Sequence, residues 1–267
     1  MRTRREPGRV ALCSALLALT LAGGCARLPP SQNVLSGRRL IVTMRFNAPV
    51  DPFLHYFFLI NNAGDQNAPG PVPVLTNPYG NGFAASSNSG ANGFTDFIQF
   101  DNLQPQGYGL YHVIGDPNQS NFRYEGRPIN SVLPDPNDPR TANQLQFEID
   151  LSQLITDANG IPLSDPTQAA NLARQIRYLQ VNIVATNIIP RDVTTPVEKL
   201  VDSLGDTRTQ LGASSFLILD VSQNRVISNN DTTIVGSLVH EPSDPDVFGG
   251  NDPRLDLVDW SIEVRQQ

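Results

Sequence analysis

Residues 257–265 read LVDWSIEVR: Val258, Trp260, Ile262 and Val264 fall on one side of an extended chain, and Asp259, Ser261 and Glu263 on the other. A period of two belongs to a β-strand, whose successive side chains point to opposite faces. One apolar and one polar face means a sheet with a core on one side and water on the other, as antiparallel sheets have. The pattern recurs upstream. In residues 40–46, Leu40, Val42, Met44 and Phe46 alternate with Thr43 and Arg45. In 145–151, Leu145, Phe147, Ile149 and Leu151 alternate with Gln146, Glu148 and Asp150. In 178–185, Leu179, Val181, Ile183 and Ala185 alternate with Gln180 and Asn182.

Two runs, 56–60 (YFFLI) and 216–221 (FLILDV), are apolar on both faces and are expected as central strands. Residues 95–101 and 108–114 are expected to pair as a hairpin across 102–107, and Asp157-Ala158-Asn159-Gly160 marks a turn. Gly, Pro, Asp and Asn make up 85 of the 267 residues, and this excess of turn formers favours many short strands over long helices. Two short helices are expected. Asp165-Pro166 supplies an N-cap and a first-turn proline before 167–175. Thr195-Pro196-Val197-Glu198 has the form of a capping box, with Gly205 as a stop. The expected fold is all-β: an antiparallel β-sandwich, jelly-roll or Ig-like, with two short helices and long loops. The lack of an alternating strand–helix series disfavours a parallel α/β fold.

The N-terminus carries an address. Residues 1–9 hold four arginines, residues 10–22 form an apolar run, and Ala22-Gly23-Gly24 leads into Cys25. The run suits the h-region of a signal peptide and is too short for a mature membrane span. The segment resembles the lipobox of bacterial lipoprotein precursors, with Leu21 four residues before the cysteine and Ala22 in the place three before it. The resemblance covers about the first 25 residues. It implies cleavage after residue 24, lipid attachment at Cys25, a membrane partner through that anchor, and, with Ala26 next, outer-membrane sorting in a Gram-negative cell. An ordinary secretory signal is the other reading. The expected organisation is 1–24 signal peptide, 25–37 anchor and tether, and 38–267 β-sandwich, with a split near 134–140 (the proline-rich LPDPNDPR stretch) left open.

Charge and cysteine content exclude several chemistries. Without residues 1–24 the chain keeps 15 basic against 25 acidic side chains, a net charge of −10. Such a body is a poor partner for nucleic acid, whose phosphates need Lys and Arg. Lys199 is the sole lysine, and Cys13 and Cys25 are the sole cysteines. Cleavage and lipidation would leave no thiol for a disulfide or a metal. The G-x-G-x-x-A run at 80–85 follows Asn77-Pro78 rather than a strand and precedes a Ser/Asn/Gly stretch, so it is no dinucleotide loop. His55, His112 and His240 are isolated; His112 alternates with Leu110 and Ile114 as a strand residue would.

Two features suggest a ligand. In residues 61–93, Gly, Pro and Asn fill 17 of 33 positions, and long irregular loops are often functional or disordered. Tyr79 and Phe83 lie there among asparagines, and an aromatic face beside amides suits a sugar ring; the alternative is that both rings tuck onto the core. Asp244, Asp246 and Asp252, like Asp135 and Asp138, sit in acidic turns that could offer calcium its oxygens, although Asp-Pro is also simply a turn former. The expected function is a non-catalytic envelope lipoprotein that binds a glycan or another envelope protein, or is structural. An envelope polysaccharide hydrolase using a carboxylate pair is the alternative.

Overall fold

A computed structural model describes residues 35–88, 93–101, 104, 107–116, 121–190, 197–234 and 238–266. Their strands sort into two antiparallel sheets and one small hairpin. The five-stranded sheet runs, from edge to edge, β13 (Arg225–Ser228), β14 (Leu257–Gln266), β1 (Arg38–Phe46), β9 (Gln144–Asp150) and β8 (Asn130–Val132). The seven-stranded sheet runs β11 (Val201–Ser203), β10 (Tyr178–Thr186), β2 (His55–Asn61), β5 (Asp96–Phe100), β6 (Tyr108–Val113) and β7 (Phe122–Gly126). Its last strand, β12 (Leu217–Asp220), pairs with the other end of β10. The hairpin is β3 (Pro71–Pro73) with β4 (Ala84–Ser86). The described residues fall in one compact unit, and 133–143 merely connect the neighbours β8 and β9.

The alternating residues meet between the sheets. Leu40, Val42, Met44 and Phe46 of β1, Leu145, Phe147 and Ile149 of β9, and Trp260, Ile262 and Val264 of β14 face Tyr56, Phe58 and Ile60 of β2 and Leu179, Val181 and Ile183 of β10. Edge-on ring pairs bridge the layers: Phe46 with Tyr56 at 4.8 Å and Phe58 with Phe147 at 5.6 Å between centroids. A fully buried side chain of this size contributes about 1.5–3 kcal/mol, so this layer dominates stability. The period-two rule breaks once. A register shift between Arg45 and Phe46 pairs Phe46 with Leu257, so Leu257 enters the core in place of Val258, which stays half-buried. One extra residue on one strand of a pair reverses the face of everything beyond it.

Residues 62–88 cover the outer face of the seven-stranded sheet. Beneath them lies a second core of Phe57, Leu59, Phe94, Phe97, Val113, Val184 and Val201, closed by Phe83 and Ala84. This explains why β2 is apolar on both faces. It also corrects the expectation that Gln180 and Asn182 face water, since both are fully buried. Asn182 Nδ2 donates to the carbonyls of Pro71 and Ser215, and Gln180 Nε2 to that of Asp65. These amides hold the covering segment to β10 by satisfying its buried carbonyls.

The first expected helix forms. Asp165 caps α1 (Pro166–Ala173), accepting from the amides of Thr167 and Gln168. The second does not. Thr195 and Pro196 lie outside the described residues; 197–200 are irregular and Val201–Ser203 is strand β11. Four residues after Val201 comes Gly205, at φ +85°, which makes the turn out of β11. Residues 216–221 also differ from expectation: β12 has β10 as its one strand partner, and Ile218 on its outer face is exposed.

Candidate functional site

Tyr79 and Phe83 are placed in the covering segment with little exposed surface. Phe83 is 2 % exposed and stacks on Phe57 at 4.1 Å. Tyr79 is 9 % exposed, with the Lys199 ammonium 5.7 Å from its ring centroid. Asn81 folds the turn between them: its Oδ1 accepts from the amides of Phe83 and Ala84, and its Nδ2 donates to the Ala84 carbonyl. Asn81, which lies between the two rings, is thus occupied with backbone rather than facing a ligand. Lys199, buried, donates from Nζ to the Val74 carbonyl. Burial lowers its pKa to about 7.

The acidic turns separate. Asp135 and Asp138 accept from amides two residues ahead, as turn aspartates do. Asp252 is held by Arg254 at 2.7 Å, and Arg254 also reaches Asp51 at 2.5 Å, which ties two loops together. Asp244 is exposed. Asp246 alone of the three turns inward. Among the described residues, it joins Asp202 of β11 and Glu241 in a group whose carboxylate oxygens lie within 4.8 Å of one another. Asp256 adjoins them, accepting from the Asp246 amide at 3.3 Å and from Asn47 Nδ2 at 2.8 Å. Asp202 and Glu241 were not singled out from the sequence, because they are far apart in it and share no spacing motif.

This group is built into the backbone. Asp202 Oδ1 accepts from the Ser203 amide and the Thr207 hydroxyl, and its Oδ2 from the Leu257 amide at 2.6 Å. Asp246 Oδ2 accepts from the Thr207 amide. Glu241 Oε1 accepts from the Gly205 amide, while its Oε2 is buried with no hydrogen-bond partner. Burial pushes the Asp202 carboxyl well above the usual range, and the nearby Asp246 charge adds to this. Burial, then the charges of Asp202 and Asp246, do the same to Glu241. Asp246 is pushed up to about 7, first by burial and then, against its Thr207 hydrogen bond, by Asp256. Three carboxylates at this spacing cannot all stay ionised without a positive partner or shared protons.

A second candidate is the outer face of the five-stranded sheet. Thr43 of β1 pairs with Ser261 of β14 and Gln146 of β9, and Val132 lies beyond Gln146. In the neighbouring row Ile41 lies between Glu263 and Glu148, with Val226 and Asn130 outside them. These residues line a shallow depression of about 290 Å³. Arg39 pairs with Glu148 at 2.9 Å, and Arg265 with Glu263 at 2.6 Å. No helix among the described residues is long and apolar enough to cross a membrane. Comparison with family models, curated proteins and solved structures returns no match.

Proposed function

We propose that this chain is a cell-envelope lipoprotein, anchored through Cys25, whose β-sandwich binds a glycan without catalysis on the outer face of its five-stranded sheet. The observation that carries the binding face is the row Val132–Gln146–Thr43–Ser261 beside Val226, Ile41 and two ion-paired glutamates. Hydroxyl and amide groups at strand spacing match sugar hydroxyls, and the aliphatic residues among them match the C–H faces. Rigid strands hold such groups in place more firmly than a loop does. The address rests on the basic N-terminus, the apolar run and Cys25.

The full chain, solubilised in mild detergent, is tested against immobilised polysaccharides beside Gln146→Ala and Thr43→Val. Retention of one glycan class, weakened about tenfold by each substitution (roughly 1.4 kcal/mol), is the expected result. No retention, or equal retention by the variants, overturns the glycan assignment. Glu148 and Glu263 both flank Ile41, so the same samples are assayed for released reducing ends. Turnover lost in Glu148→Gln or Glu263→Gln would make the face a hydrolase site instead. For the anchor, Cys25→Ser abolishes acyl labelling and signal cleavage; continued acylation of that variant sinks it.

A further inference from the structure

We propose that Asp202, Glu241 and Asp246 form a divalent-cation site, fitted to calcium, that clamps residues 241–246, on the way into β14, to the edge of the seven-stranded sheet. The three side chains come from two separate parts of the fold. Asp202 is on the edge strand β11, while Glu241 and Asp246 are on the segment that leads to β14. Two of the three are held in position by hydrogen bonds from Thr207.

The independent sign of a ligand is Glu241 Oε2. It is a buried carboxylate oxygen without a donor, and native structures rarely leave such an atom unpaired. The groups acting most strongly on Asp202 and Glu241 are other carboxylates and hydrogen-bond donors; Arg208 feels the Asp246 charge but is exposed and paired with Asp206. A cation would satisfy the orphan oxygen and neutralise the cluster together. The donor set is oxygen alone, which selects a hard ion over zinc or copper. The three oxygens lie within 4.8 Å of one another, a span that the flexible coordination sphere of calcium, with bonds of about 2.3–2.6 Å, can cover. Thr207 Oγ1, 3.0 Å from Asp202 Oδ1, is a further oxygen at the site.

The experiment is calorimetric and thermal titration of the full chain in mild detergent, stripped with chelator, against calcium, magnesium and manganese. Calcium should bind with 1:1 stoichiometry and raise the melting midpoint by roughly 5–10 °C at a hundredfold excess over Kd. Glu241→Gln keeps the side chain's shape and relieves repulsion, so it should fold at least as stably without metal yet lose the calcium response. Asp244→Asn, on the exposed aspartate outside the group, should keep it. Absence of stoichiometric binding by the wild-type chain overturns the proposal and leaves the cluster held by shared protons. A full calcium response in Glu241→Gln, or loss of the response in Asp244→Asn, overturns it too.

Discussion

The Phe83 ring lies flat on Phe57, centroids 4.1 Å apart and planes within 9°. Phe57 projects from the outer face of β2, and Phe83 reaches it from the glycine- and proline-rich segment between β2 and β5. The segment is therefore fastened to the sheet by an aromatic cluster that includes Phe94, Phe97 and Phe122.

Phe83→Ala removes the centre of this cluster. It should destabilise the fold by about 3–5 kcal/mol, as large-to-small changes of a buried phenylalanine do. Phe83→Leu should cost less than Phe83→Ala. Urea unfolding followed by fluorescence measures both, and an unchanged midpoint for Phe83→Ala would contradict the packing role.

His112 Nδ1 lies 2.8 Å from Asp96 Oδ1, across the β5–β6 pair. Burial alone would lower the His112 pKa, but the hydrogen bond and charge of Asp96, helped by Glu125 and opposed by Arg123, raise it above 6.5. Stability from His112 is thus fully present below pH 6.5 and lost as pH rises through the folded value. Asp96, raised by burial against hydrogen bonds from His112 and Thr95, acts in the same direction. Its share is complete below pH 3.8 and lost through its own raised value. Lys199 acts oppositely: its folded pKa of about 7 lies below 10.5, so stability rises with pH across that window. The readout is therefore a difference. Subtracting the unfolding free energy of His112→Gln from that of wild type, at each pH, should give a quantity that falls as pH rises above 6.5, by at most about 1.4 kcal/mol per pH unit. A flat difference would mean the pair does not titrate as described.

Gly205 and Gly64 both have positive φ, +85° and +72°, but differ in surroundings. A methyl group on Gly205 would lie 1.8 Å from the Leu238 carbonyl oxygen, whereas one on Gly64 meets nothing within 4 Å. Gly64→Ala should cost about 1–2 kcal/mol, the ordinary left-handed penalty. Gly205→Ala should cost more, because the turn that delivers an amide to Glu241 must move. Thermal unfolding of the two variants side by side checks the order.

Asp165 caps α1 through its Oδ1, 2.8 Å from the Thr167 amide. Asp165→Ala should cost about 1 kcal/mol, and Asp165→Ser much less. Urea midpoints decide, and equal loss in both would point away from capping.

Alternation made β1, β9, β10 and β14 legible, because a strand with one buried face writes its period into the chain. The doubly apolar β2 was legible as central for the same reason. What alternation could not show is which face is covered by what. Gln180 and Asn182 have the residue types of a solvent face, yet their amides serve the carbonyls of an overlying loop. The capping-box sequence ahead of Gly205 has a helix's local signals, but Val201 and Asp202 pair with Thr186 and Ala185, and tertiary pairing overrides local propensity. Asp246 was visible among acidic turns, but its partners Asp202 and Glu241 were not, since no spacing rule links them.

The order of residues thus determined by itself an all-β chain: where its main strands lie, which side of most of them is apolar, and the α1 cap. Those properties are local, set by neighbours a few positions away. Only the tertiary structure decided that Phe83 is core, that a bulge at Val258 turns Leu257 inward, and that Asp202 converges with Glu241 and Asp246. These depend on contacts between segments far apart in sequence, and such contacts leave no periodic trace in a single chain.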